Sequence, residues 1–275
     1  MSNKKRAIGV FDSGYGGLTI LNEFLKQLPE YDFIYLGDNA RSPYGTRSYD
    51  VVYDYTLQAV EQLFSMNCEL VILACNTASA KALRTIQQCD LPKIDANKRV
   101  LGVIRPSVEE VGMLTITNHV GVLGTVGTVR SNSYPLEIKK LFPEIKVIQE
   151  SCPMWVPLVE NNEFKSEGGQ HFIKKNIENL LKRDPKIDTI ILGCTHYPIL
   201  LDEIRKYIPL GINLISQGEI VAKSLKDYLR RHPEMDMRCT KNGDREFYTT
   251  EFVDSFEDKA SRFLNKELRA KHLDY

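Results

Sequence analysis

The sequence has no long apolar run and no excess of charge of either sign. Its longest apolar stretches, such as LVILAC (70–75), are the length of a strand, whereas a membrane-spanning helix needs about 20 apolar residues. Lys and Arg together number 36, as do Asp and Glu, so the formal net charge is zero. We therefore expect neither a membrane nor a nucleic acid as partner, and we expect a small-molecule substrate.

The sequence also lacks a C-x-x-C pair, although it contains six cysteines. The apolar stretch AIGVF, which follows the basic opening MSNKKR, is too short for the core of a secretory signal. These features predict free thiols in the reducing cytoplasm, where structural disulfides are rare. Most of the thiols are expected to be inert small apolar groups, namely Cys68, Cys89, Cys152 and Cys239.

Short β-branched runs alternate with helical patterns along the chain. Strands are predicted at 7–11, 32–37 and 69–74, with amphipathic helices between them. Strand–helix–strand repeats of this spacing are typical of a parallel sheet covered on both faces. The fold class predicted is therefore α/β.

The chain length of 275 residues allows two domains of ordinary size. A polar segment, CDLPKIDANK, interrupts the alternation at 89–98, and the pattern restarts with RVLGVI. We predict one α/β domain from 1–97 together with 217–275, and a second, similar domain from 98–216. Each is expected to have a mainly parallel sheet flanked by helices, with the active site in the cleft between them.

A weak internal repeat joins ELVILACNTAS (69–79) and DTIILGCTHYP (188–198). Each places a cysteine just past the carboxyl end of a predicted strand, where α/β proteins bind ligands. Each cysteine also precedes a predicted helix, whose first amides lower the pKa of a thiol. Two thiols on opposite sides of a substrate could remove a proton from one face of a carbon and return one to the other. That chemistry is racemisation without a cofactor.

Two other kinds of site fit the sequence less well. The loop DSGYGG (12–17) suggests a dinucleotide site, but Thr19 stands where the fingerprint requires its third glycine. A metal site is also disfavoured, because His196 is the only histidine near either thiol and C-x-H is not a usual ligand spacing.

Five motifs in order resemble those of the glutamate racemases, within the cofactor-independent aspartate/glutamate racemase superfamily. They are IGVFDSGYGGLT (8–19), YLGDNARSPYG (35–45), ACNTAS (74–79), CPMWVPLVE (152–160) and GCTHYP (193–198). The ending FYTTEFVDSFEDKASRFL (247–264) is also similar to that of the family.

The resemblance implies that Cys75 and Cys194 are the two catalytic acid/bases, the first serving D-glutamate and the second L-glutamate. It assigns Asp12 and His196 as their assistants and Glu160 as a further acidic catalytic residue. The substrate-binding residues that it implies are Asp12, Ser13, Asp38, Tyr44, Gly45, Asn76, Thr77, Thr125, Thr128, Thr195 and His196. No cofactor or metal is implied, and the expected assembly is a homodimer that supplies D-glutamate for peptidoglycan.

Two alternatives remain at this point. One is a sister racemase acting on aspartate, which pocket size would distinguish. The other is a non-catalytic ligand-binding or thiol-redox module, in which the two cysteines would form a disulfide rather than move protons.

Overall fold

The computed structural model describes residues 6–264 and 266–275, so residues 1–5 of the first predicted domain and of the basic opening lie outside it. The strands are β1 (Ile8–Asp12), β2 (Phe33–Gly37), β3 (Leu70–Leu73), β4 (Arg99–Gly102), β5 (His119–Gly124), β6 (Lys146–Ser151), β7 (Thr189–Gly193), β8 (Asn213–Ile215), β9 (Arg245–Thr249) and β10 (Ala270–His272). The helices are α1 (Gly17–Gln27), α2 (Tyr49–Ser65), α3 (Asn76–Lys81), α4 (Leu83–Thr85), α5 (Leu91–Ile94), α6 (Ile104–Leu114), α7 (Val126–Ser131), α8 (Ser133–Leu141), α9 (Trp155–Glu160), α10 (Glu167–Arg183), α11 (Leu201–Arg205), α12 (Gln217–Arg231), α13 (Pro233–Asp236) and α14 (Val253–Leu264).

The strands form two parallel sheets. The larger sheet has six strands in the order β10-β9-β2-β1-β3-β4, and the smaller has four in the order β6-β5-β7-β8. Every residue of β1, β2, β3 and β7 is buried, which is why these strands are continuously apolar rather than alternating. The predicted α/β class, with parallel sheets flanked by helices, is confirmed. In the part of the chain described, no helix is long and apolar enough to cross a membrane.

The predicted boundary between residues 97 and 98 puts the strand within RVLGVI in the second domain, but the structure puts it in the larger sheet. Residues 99–102 pair with β3 in register, Val71 opposite Val100, so β4 is the edge strand of the larger sheet. The polar segment before it is no linker, because it contains α5, whose Leu91 is buried. The connection from β3 through α3, α4 and α5 thus leads back to the larger sheet. The chain crosses to the smaller sheet only after Gly102.

The C-terminal segment completes the larger sheet. β9 pairs with β2, and β10 pairs with β9. This placement supports grouping 217–275 with the N-terminal part of the chain, and the division into two domains stays a prediction.

Large side chains fill the core beside each sheet. Phe24 of α1 stacks on Phe33 of β2, with the ring centroids 5.8 Å apart. In the core beside the smaller sheet, Trp155 is fully buried, and its ring meets Tyr197 edge to face at 4.8 Å. The apolar run MWV (154–156) predicts that these side chains pack in the core. This is confirmed for Trp155 and wrong for Met154, which is 37% exposed.

We expect Trp155→Ala to lower the free energy of unfolding by about 3–5 kcal/mol, because it leaves a large cavity in a packed core. Denaturation in guanidinium chloride, followed by far-UV circular dichroism, measures the change. The neighbouring Met154 is 37% exposed, so Met154→Ala is the matched control and should change stability by only about 0.5 kcal/mol. Equal losses in the two variants would contradict this account of the core.

Candidate active site

One cavity lies where the carboxyl ends of strands from both sheets meet. Its volume is about 110 Å³. It is lined by Ser13, Ser42, Pro43, Tyr44, Gly45, Thr46, Cys75, Asn76, Thr77, Thr125, Val126, Cys152, Pro153, Val156, Pro157, Cys194, Thr195 and His196. The two cysteines of the internal repeat therefore face a common space, one from each sheet, at the edge where α/β folds bind ligands.

Cys75 occupies the position before the first residue of α3. Its sulfur accepts a hydrogen bond from the amide of Ala78 at 3.5 Å and lies 3.4 Å from the hydroxyl of Ser13. Burial, and next the charge of Asp12, raise the pKa of the Cys75 thiol from 9.0 to about 12, although the contacts with Ser13 and Ala78 oppose them. The Ala78 amide at the start of α3 lowers this pKa as expected, but removal from water has the larger effect, so the net shift is upward.

Cys194 has a different environment, in which a charged pair replaces helix amides. Its sulfur lies 3.9 Å from Nδ1 of His196, and Nε2 of that ring lies 2.9 Å from Oε1 of Glu160. Burial lowers the pKa of His196, but the contacts with Cys194 and Glu160 outweigh burial and raise it from 6.5 to about 10. His196 is therefore an imidazolium at neutral pH, and its two ring nitrogens face the Cys194 sulfur and Glu160.

The segment after Cys194 also differs from the predicted helix. Residues Tyr197–Leu200 form a single 3₁₀ turn, and α11 begins only at Leu201. Cys194 thus does not lie at the start of an α-helix, which leaves His196 as its electrostatic partner.

Asp12, at the end of β1, lies behind the cavity wall and is almost fully buried. Oδ1 accepts a hydrogen bond from the Gly14 amide at 2.9 Å, and Oδ2 accepts one from the Thr195 hydroxyl at 3.4 Å. Burial raises the pKa of Asp12 above its ordinary value, and the charge of His196 opposes this. Asp12 therefore acts on Cys75 through its charge and touches the second cysteine motif directly.

The turn after β1 packs closely against the turn after β7. A Cβ atom on Gly16 would lie 2.2 Å from the hydroxyl oxygen of Thr195 and 2.4 Å from Nδ1 of His196. Thr19 donates a hydrogen bond to the carbonyl of Thr195 at 2.9 Å. Thr19, which breaks the dinucleotide fingerprint, thus joins the turn after β1 to the second cysteine motif, and Gly16 allows the two turns to approach closely.

Three threonine hydroxyls connect the sheets on the other side of the cavity. Thr77 lies 2.9 Å from Thr125 and 3.4 Å from Thr128, hydroxyl to hydroxyl. The amide of Gly127 donates to the carbonyl of Gly45 at 2.7 Å beside them. Thr128 is fully buried behind Thr125, so only Thr77, Thr125 and Gly45 reach the cavity.

Asp38 likewise lies behind the wall rather than on it. Tyr44, which lines the cavity, donates its hydroxyl hydrogen to Oδ2 of Asp38. Arg41 binds the same oxygen at 2.7 Å, and the Thr250 hydroxyl donates to Oδ1 at 3.0 Å. The structure therefore places Asp38 as a support for Tyr44.

Several lining residues were not predicted as site residues. Three of them are close in sequence to the predicted site residues Tyr44, Gly45 and Thr125, and this proximity could have indicated that they line the cavity. They are Ser42, Thr46 and Val126. Cys152 also lines the cavity, and burial holds its pKa well above the ordinary range. Across the described ranges, no group of three or more His, Cys, Asp or Glu is placed to hold a metal ion.

The fold and the site together define a class of α/β protein in which two sheets present opposed thiols to one buried cavity. A family model described as "Asp/Glu/Hydantoin racemase" matches residues 17–225. The chain belongs to this family, whose members are isomerases, and the resemblance seen in the sequence is confirmed.

Relatives match over nearly the whole chain. The glutamate racemase of Bacillus cereus is 38% identical over 98% of this chain and 97% of its own. Among solved structures, a glutamate racemase isoform of Bacillus anthracis superposes with a TM-score of 0.89 at 35% identity, covering 99% of this chain and 98% of its own. The glutamate racemase of Francisella tularensis, solved with D-glutamate, gives 0.87 at 34% identity and covers 98% of each chain.

We expect the imidazole of His196 to keep its second proton at neutral pH and to lose it near pH 10. Because folding raises this pKa, the contacts of the imidazolium with Cys194 and Glu160 stabilise the folded state at neutral pH, and their contribution is lost as the pH rises toward 10. NMR titration of protein labelled with ¹⁵N-histidine measures this pKa.

Glu160→Gln should lower the pKa of His196 by about 1–3 pH units, because it removes the opposite charge. Glu163→Gln is the control, since Glu163 is exposed. A wild-type His196 that titrates near its ordinary value, or equal titrations in the two variants, would contradict the proposed charge pair.

Proposed function

We propose that this protein is a glutamate racemase, which interconverts L- and D-glutamate by proton transfer between the α-carbon and two cysteines. The observation that carries the proposal is that Cys75 and Cys194 line one cavity from two different sheets. The full-length relatives named glutamate racemase support glutamate as the substrate.

The two thiols are proposed to have opposite roles. Burial and the charge of Asp12 raise the pKa of Cys75 to about 12, so Cys75 is proposed as the neutral thiol, which is an acid. Cys194, whose sulfur lies 3.9 Å from Nδ1 of His196, is proposed as the thiolate, which is the base. The Cys194 thiolate takes the α-proton of L-glutamate, and its sulfur becomes a thiol. Cys75 then gives its proton to the opposite face of the α-carbon, which yields D-glutamate and leaves a Cys75 thiolate. Cys194 then loses its proton to water and Cys75 takes one up from water, which restores the first state. D-glutamate is converted by the same steps in reverse.

Neutral donors are placed to hold the substrate carboxylates. Hydroxyls of Ser13, Thr77, Thr125 and Thr195 and the amide of Asn76 line the cavity. Such dipoles, fixed before the substrate arrives, stabilise charge that develops at the α-carbon and its carboxylate. Asp12, just behind the wall, is proposed to orient the substrate ammonium or to accept a proton. Glu160 is proposed to stabilise the positive charge of His196.

We expect Cys75→Ala and Cys194→Ala each to lower kcat/KM for racemisation by about 10²–10⁴-fold or more, because each removes one of the two acid/base groups. Cys89 is exposed, so Cys89→Ala is the matched control and should leave the rate unchanged. Loss of the circular dichroism of L-glutamate measures the rate, and product formed in heavy water should carry deuterium at the α-carbon. Substantial racemisation by both cysteine variants would contradict the two-base mechanism.

The same assay separates the alternatives. Racemisation of L-aspartate in preference to L-glutamate would indicate the sister activity. A disulfide that forms without reductant, with no change in the optical signal of either amino acid, would indicate a thiol-redox module instead.

The cellular role is proposed as the supply of D-glutamate for peptidoglycan, in the cytoplasm and by a homodimer. All six cysteines are free thiols, which supports a reducing compartment. Light scattering on the purified protein tests the dimer, and a monomer at all concentrations would exclude it.

A further inference from the structure

Three buried side chains form a closed ring of hydrogen bonds behind the cavity wall. The Asn76 side-chain amide donates to Oε1 of Gln217 at 2.6 Å, and Nε2 of Gln217 lies 2.9 Å from the Tyr134 hydroxyl. Tyr134 in turn donates to Oδ1 of Asn76 at 2.7 Å. Each member thus donates to the next and accepts from the one before.

The ring draws on three separate parts of the chain. Asn76 is the first residue of α3, Tyr134 belongs to α8, and Gln217 is the first residue of α12. All three are at most 2% exposed. Because the ring is sealed from water, an unmatched donor or acceptor in it would be costly.

Gln217 is itself held from the side away from the cavity. Its second Nε2 hydrogen is donated to the hydroxyl of Ser107 at 2.8 Å, and that hydroxyl donates to the carbonyl of Val103 at 3.0 Å. These contacts orient the Gln217 amide, with its oxygen toward Asn76. Of the three ring members, only Asn76 also lines the cavity.

The ring therefore decides which way the Asn76 amide faces. Oδ1 is occupied by Tyr134, and one hydrogen of Nδ2 is occupied by Gln217, so the second hydrogen of Nδ2 is left for a ligand. A flipped amide would place two donors against each other at Tyr134 and two acceptors at Gln217.

We propose that Gln217 and Tyr134 are positioning residues, which hold the Asn76 amide ready to donate a hydrogen bond to a substrate carboxylate. This inference rests on the proposed function and adds two residues that never touch the substrate. They act on substrate binding only through Asn76.

Tyr134→Phe and Gln217→Glu break the ring from its two sides with little change of shape. The first deletes one oxygen, and the second removes the donor to Tyr134. We expect each to raise KM for L-glutamate about tenfold, as for the loss of one hydrogen bond to a charged group, with kcat within about threefold. Tyr207→Phe is the matched control, because the Tyr207 hydroxyl donates to Oε1 of Gln170, and neither residue lines the cavity. It should leave KM unchanged.

A double-mutant cycle separates positioning from a general structural role. In an Asn76→Ala background, Tyr134→Phe should change KM by less than about twofold, because its effect passes through Asn76. A tenfold effect that persists in that background overturns the inference, as does a wild-type KM in both single variants of an active enzyme. A wild type inactive on glutamate would instead overturn the proposed function, and the same cycle on aspartate would then test the ring.

Discussion

The whole site depends on the contact between the turn after β1 and the turn after β7. Thr19 donates to the carbonyl of Thr195 at 2.9 Å, and Asp12 accepts from the hydroxyl of the same residue at 3.4 Å. No side chain longer than a hydrogen atom fits at Gly16, where a Cβ would lie 2.2 Å from Thr195. β1 pairs with β3, which Cys75 follows, so this contact joins the sheet that carries Cys75 to the strand that carries Cys194. In the proposed mechanism the distance between each sulfur and the α-carbon governs proton transfer, so packing at this contact affects the rate.

Neighbouring side chains give the two equally buried thiols different environments. Cys75 and Cys194 are equally buried, each 6% exposed, and they follow similar strands. Their neighbours differ, because burial and the charge of Asp12 raise the pKa of Cys75, whereas the Cys194 sulfur lies 3.9 Å from Nδ1 of His196. In a site of low dielectric constant such single charges act strongly. Near-equivalent positions in a repeat thus have different electrostatic environments, as the proposed acid and base require.

Part of the fold and of the site could be predicted from local sequence patterns. The buried strands, the two cysteine motifs and the core position of Trp155 could be predicted because each depends on a short stretch of sequence. The sheet to which β4 belongs could not be predicted. Val100 pairs with Val71 of the larger sheet, and the periodicity of a strand does not indicate which of two sheets it joins. The high pKa of Cys75 and the support of Tyr44 by Asp38 also depend on residues brought together only by folding. Gln217 carried no signal, because one glutamine at the start of a helix is ordinary.

The choice of polar groups around the cavity follows from the need to run in both directions. Within the described chain, neither lysine nor arginine lines the cavity, and His196 is its one cationic side chain. A racemase acts on both enantiomers, which present the α-proton on opposite faces of the same carbon. Neutral donors such as Thr77 and Asn76 can bind carboxylates without adding a charge to either side of the cavity. The charge at the wall, the His196 imidazolium, lies 2.9 Å from Oε1 of Glu160, so this pair adds little net charge beside the substrate.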